Sequence, residues 1–143
     1  MHAHALEKYL SACRIAHATK AATPETAFYP AFQSLLESAG GGLKPRVYCV
    51  MGLKNQGAGM PDGGFFTQDQ FVKGEDVKLK PGQLANPSRG VVECKPLNKL
   101  VLKVADTKQV TDYWEHYNQV LVTNYREFLL IGRDEHGVLV RHE

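Results

Sequence analysis

Gly-Val-Val-Glu-Cys-Lys-Pro, residues 90–96, read together with Gly-Met-Pro-Asp-Gly-Gly-Phe-Phe, residues 59–66, decides how the rest of the chain is understood. Residues 91–95 form a short apolar run closed by Pro96, and a strand there puts side chains at i and i+2 on one face. Glu93 and Lys95 then point one way and Val92 and Cys94 the other. Asp62 stands beside Pro61 and two glycines at the mouth of a second short strand, residues 63–66. If Asp62 reaches the Glu93/Lys95 face from a neighbouring strand, two hard oxygen donors and one ammonium meet at one place, which is what a divalent cation with an attacking water requires. Each part also has a plainer reading. Pro-Asp-Gly is a common turn, and Glu93 with Lys95 can be a solvated ion pair at a strand end. Against the latter, a charge pair in an otherwise apolar strand is costly unless something requires it.

Outward from this pair, the chain reads as helix, helix, three strands, helix, strands. Residues 3–17 carry apolar side chains with few breakers and predict a first helix. Thr-Pro-Glu-Thr at 23–26 supplies a hydroxyl cap, a proline for the first helical position and an early acid, so a second helix is expected to run to Ala39. Its stripe of Ala27, Phe28, Ala31, Phe32, Leu35 and Leu36 suits packing on a sheet, and Pro30 within it predicts a kink or a split. Gly40-Gly41-Gly42 ends it with a residue free to take the left-handed cap conformation. Residues 46–54 read as a strand, 55–59 as a turn, and 67–88 as a loop or hairpin excursion. A third helix is expected over 105–117, capped by Asp106 or Thr107 and showing Val110, Tyr113, Trp114 and Tyr117 to the core. Strands at 119–123 and 127–131 follow, with 138–140 able to add another. This order predicts a mixed sheet with helices packed on it.

With 143 residues, 43% of them hydrophobic, one domain with one core is expected. Seventeen basic against 15 acidic residues leave a formal charge of +2, so any phosphate-binding surface has to be local. Cys13, Cys49 and Cys94 form no metal or disulfide spacing, which fits a reduced, cytoplasmic setting. The amino terminus lacks the pattern of a signal peptide, and no apolar run is long enough for a membrane span. His2 and His4 lack a third partner for a metal.

Pro61-Asp62 followed downstream by Glu93-Cys94-Lys95 in an apolar strand resembles the PD-(D/E)XK nuclease superfamily. Gln-Val-Thr-Asp-Tyr, residues 109–113, resembles the Gln-x-x-x-Tyr element of its RecB-like branch. Longer runs at 25–30, 53–65, 109–114 and 122–129 resemble the amino-terminal nuclease region of large single-chain restriction-modification enzymes, the Type ISP-like enzymes and related adenine methylase fusions. The resemblance covers residues 25–133 and implies an α/β, restriction-endonuclease-like core, a mixed central β-sheet flanked by helices.

The resemblance further implies that Asp62 and Glu93 bind Mg2+, with Mn2+ able to substitute, while Lys95 orients or activates the metal-bound water. Cys94, alternate to these groups, is expected to face the core. Glu25 is a further metal candidate, or else a first-turn acid complementing its helix dipole. Gln109 and Tyr113 are expected to bracket the site from the third helix, or else to be a packed tyrosine with a polar neighbour. Trp114, Tyr117, Phe28 and Phe32 are expected in the core. Lys54, Asn55, Gln56 and Lys99 are candidates for DNA phosphates. The implied function is a Mg2+-dependent DNA endonuclease domain serving restriction-modification and phage defence. The alternatives are a catalytically silent DNA-binding or assembly module and a repair or RNA nuclease of the same fold. Residues 1–143 are expected to be one nuclease domain, an N-terminal helix (1–22) and a core (23–143), excised from a longer polypeptide or acting as a small subunit. Helicase-like, methyltransferase and target-recognition domains would then be its partners in the same chain or complex.

Overall fold

The computed structural model describes residues 2–19, 26–53, 59–70 and 86–143. Two helices precede the sheet: α1 (His2–Thr19) and α2 (Tyr29–Gly40), the latter led in by a 3-10 turn at Thr26–Phe28. The strands are β1 (Val47–Met51), β2 (Gly63–Thr67), β3 (Val91–Cys94), β4 (Val120–Thr123), β5 (Phe128–Arg133) and β6 (Leu139–His142). Between β3 and β4 lie α3 (Val101–Ala105) and α4 (Lys108–Tyr117).

The strands form one six-stranded sheet in chain order. All neighbours are antiparallel except β3 and β4, which run parallel with Val91 opposite Val120 and Cys94 opposite Thr123. A parallel pair needs a crossover connection, and α3 and α4 supply it. The alternation along β3 sorts its side chains into two cores. Val91 joins Val110, Tyr113, Tyr117, Val120, Val122, Leu129 and Ile131 beneath α3 and α4. Val92 and Cys94 join Tyr9, Phe28, Phe32 and Tyr125 beneath α1 and α2. Helices therefore cover both faces of a mixed sheet, the restriction-endonuclease-like arrangement expected from the sequence, and all four β3 residues are buried.

The second helix departs from expectation in two ways. Pro30 neither kinks nor splits α2 but stands in its first turn, where the missing N–H costs nothing. The cap expected at Thr23-Pro24 lies outside the described residues. At the other end Gly41 is right-handed (φ −64°), so the glycines do not serve as a left-handed cap. Gly40 is required for another reason: a Cβ there would come 2.2 Å from the Val47 carbonyl oxygen, because α2 runs close against β1. Side chains of α2 also bond to β1, Gln33 Nε2 donating to the Cys49 carbonyl and the Cys49 N–H to Glu37 Oε1.

The helix expected over 105–117 begins at Lys108 instead. Asp106 and Thr107 separate α3 from α4, whose N-cap is Thr107 with its hydroxyl accepting from the Val110 N–H. The turn from β4 to β5 is held by Asn124, whose Oδ1 accepts from the N–H groups of Arg126 and Glu127. Tyr125 in that turn takes φ +73°. No described helix is long and apolar enough to cross a membrane.

Candidate active site

The site forms where β2 parts from β3. Pairing between these strands extends from Gly64/Val91 to Gly63/Val92. Beyond it the Asp62 N–H still donates to the Val92 carbonyl, at 3.0 Å, and the Asp62 carbonyl accepts from Gly52 N–H. The backbone is thus pinned from both neighbouring strands. The next ladder donor, the Cys94 N–H, finds a side chain instead of a backbone carbonyl: it donates to Asp62 Oδ2 at 2.7 Å. A strand that diverges leaves an amide needing an acceptor, and Asp62 fills that need with a carboxylate. Its other oxygen, Oδ1, accepts from the Tyr29 hydroxyl at 2.7 Å.

Glu93, one residue before that amide, is 4% exposed. Its Oε1 lies 2.9 Å from Lys95 Nζ, and Oε2 is buried as well. The i, i+2 geometry expected of a strand is therefore realised as a direct ion pair on the α4 side of the sheet. Lys95 remains about one-third exposed, so the pair is open to solvent through its ammonium. The Lys95 N–H bonds the Thr123 carbonyl and prolongs the parallel ladder one step past β3.

From α4, Tyr113 reaches the same place. It is fully buried, and its hydroxyl accepts from Gln109 Nε2 at 3.0 Å. Burial pushes its hydroxyl up to about 12, the negative charge of Glu93 adds to the effect, and a smaller contribution comes from Asp62. Both carboxylates thus act on one phenol. Gly59, just ahead of Pro61-Asp62, holds φ +100°, and a Cβ there would stand 3.2 Å from the Tyr113 ring and 3.3 Å from its hydroxyl. The loop carrying Asp62 can lie this close to α4 because that residue has no side chain.

Among the sequence candidates, then, Glu93 pairs with Lys95, Gln109 with Tyr113, and Asp62 and Glu93 both act on the Tyr113 hydroxyl near the end of β3. Lys99 does not join them through any side-chain bond described here. It is exposed in the turn before α3, and its carbonyl accepts from Asn124 Nδ2. Glu25, Lys54, Asn55 and Gln56 lie outside the described residues. Cys94 faces the α1/α2 core as expected. Burial, opposed in part by a hydrogen bond with Tyr125, raises its thiol far above the ordinary range. A residue the sequence did not single out is Tyr29. It falls inside the run at 25–30, but a tyrosine before a proline carries no signal of a partner thirty-odd positions away, as in its bond to Asp62.

No family model and no curated protein matches the chain. Among solved structures, it is similar to a chain in the cryo-EM structure of a DrdV–DNA complex, with a TM-score of 0.60 and 16% sequence identity. The match covers 96% of this chain and 12% of that one. At this identity the likeness shows a shared fold, and the chain spans about an eighth of the length of the protein it matches.

Among the described residues no group of three His, Cys, Asp or Glu side chains converges on a metal position. Among the described residues the donors at this site are two carboxylates, with no imidazole or accessible thiolate. Such a set fits Mg2+, which keeps several waters and is commonly held by one or two carboxylates together with substrate phosphate oxygens. It does not fit a structural Zn2+, which needs four closed N or S ligands.

Proposed function

We propose that this chain is a nuclease domain that hydrolyses phosphodiester bonds in DNA, with Asp62 and Glu93 holding Mg2+ and Lys95 serving the attacking water. The observation that carries this reading is the convergence at the β2/β3 fork. An aspartate that replaces a ladder carbonyl and a buried glutamate paired to a lysine both stand at the end of β3, and both act on one protonated tyrosine. When bound, the cation would supply positive charge to the phosphoryl oxygens and acidify a water.

The remaining work falls to side chains. Lys95, anchored by Glu93 and partly open to solvent, is placed to orient the water and to stabilise charge developing on the phosphate. Tyr113 keeps its proton through the physiological range and so can act as a hydrogen-bond donor toward substrate. Gln109 lies exposed on the same helix and holds that hydroxyl by its amide.

The likeness to a protein solved on DNA supports DNA as the substrate class. A near-neutral charge and the small share of that longer protein supports target selection by other domains or subunits, in a restriction-modification system acting in phage defence. The test is cleavage of linear and supercoiled DNA with Mg2+ or Mn2+, by the chain alone and joined to its natural neighbouring domains. Wild type is expected to cut, and Asp62→Asn, Glu93→Gln and Lys95→Ala to lose at least ~100-fold in rate. Equal cutting by wild type and all three variants would refute the reading.

A further inference from the structure

The sequence assigns Tyr29 no role of its own, yet its hydroxyl makes the described side-chain bond that links α2 to Asp62. We propose that Tyr29 is a positioning residue: with the Cys94 amide, it holds the Asp62 carboxylate in the orientation that receives a divalent cation. This rests on the reading of Asp62 as a metal ligand given above.

The donors divide the carboxylate between them. The Cys94 N–H takes Oδ2 and the Tyr29 hydroxyl takes Oδ1, each at 2.7 Å. A carboxylate offers about four lone-pair sites, so one donor on each oxygen fixes the plane of the group and leaves acceptor capacity on both. Neither donor is charged. An arginine or lysine in the place of Tyr29 would orient the group equally well but would cancel the charge that attracts a cation.

Tyr29 is itself fixed by its neighbours. It opens α2, with Pro30 next to it setting the backbone of the first turn. Phe28 on one side packs on the Tyr125 ring at 4.8 Å between centroids, and Phe32, one turn on, meets that ring edge-on at 5.8 Å. Tyr125 is in turn tied to α1, since the Tyr9 hydroxyl donates to its carbonyl at 2.7 Å. The hydroxyl that orients Asp62 is therefore carried by two helices packed through an aromatic core, while the amide is carried by the sheet. Groups that orient metal ligands in this way commonly change metal affinity or activity by about 10–100-fold when removed.

The test compares wild type, Tyr29→Phe and Asp62→Ala by calorimetric titration with Mn2+ and with Mg2+ alone, and by the metal dependence of melting temperature. A purely structural tyrosine would alter the metal-free melting temperature and leave the titration unchanged. Expected for Tyr29→Phe are a metal-free melting temperature within a few degrees of wild type and a metal affinity weaker by about 10-fold. Its cleavage rate should recover to near wild type at saturating metal, the deficit lying in the metal concentration required. Loss of binding in Asp62→Ala with wild-type affinity in Tyr29→Phe would overturn the inference and leave the site reading standing. Wild-type affinity in Asp62→Ala, or no binding by wild type, would overturn the site reading and the inference with it.

Discussion

Replacing Lys95 by methionine keeps the length of the stem and removes the ammonium paired with Glu93 Oε1. At 2.9 Å, two unit charges attract by about 6 kcal/mol in an effective dielectric of about 20. Most of that attraction offsets the desolvation of Glu93, whose side chain is 5% exposed. Breaking a fully buried pair from one side costs about 3–5 kcal/mol. Lys95 is 31% exposed, so water partly solvates the glutamate left behind and the cost falls to about 2 kcal/mol. For a domain of this size that is a drop in melting temperature of about 4–8 °C. Glu93→Gln removes the buried charge at nearly constant volume and should leave stability unchanged or slightly raised. The double variant should lie closer to wild type than Lys95→Met does, giving a coupling energy of about 2 kcal/mol in metal-free urea unfolding. Cleavage should not follow stability, since all three variants lack a group the proposed chemistry uses. Lost cleavage at unchanged or raised stability in Glu93→Gln would mark a charge kept for function rather than for folding. The reasoning is refuted if Lys95→Met unfolds with the wild-type midpoint, or if the single effects simply add.

Three further predictions concern the Asp62 loop, the α2–β1 contact and Tyr113. Gly59→Ala forces a side chain into a positive-φ position against Tyr113, and should lower cleavage about 10-fold while costing about 1–2 kcal/mol of stability; unchanged rates would show that the Asp62 loop need not lie there. Gly40→Ala places a methyl 2.2 Å from the Val47 carbonyl, and should destabilise by about 1–3 kcal/mol in thermal unfolding by pushing α2 off β1. Tyr113, raised from 10.0 to about 12, holds its proton more tightly folded than unfolded. Its contribution to stability is complete below pH 10 and is lost as pH rises through about 12. Melting temperature plotted against pH should therefore fall less steeply over that window in Tyr113→Phe than in wild type, and parallel curves would contradict the placement of this hydroxyl.

The strand at 91–95 was legible because its apolar run was short and bounded by glycine and proline, and two-residue periodicity then dictated that Glu93 and Lys95 share a face. The i, i+4 spacing of Gln109 and Tyr113 made their contact legible in the same local way. Pro30 was misread because its effect depends on whether a helix has already begun, and the 3-10 turn at Thr26–Phe28 delays that start. The glycines at 40–42 were credited with a cap, whereas what Gly40 answers is the approach of a strand, which no local rule sees.

Local chemistry thus determined the two charged segments, their faces and most of the strands, because periodicity and turn residues act over a few positions. Only the tertiary structure decided how they lie relative to one another. The divergence of β2 from β3 exposes the Cys94 amide and draws the Asp62 carboxylate onto it, and the packing of α1 and α2 around Tyr125 sets Tyr29 against the same carboxylate. Those relations join residues far apart in the chain, and they exist only once the sheet and both its helical layers have assembled.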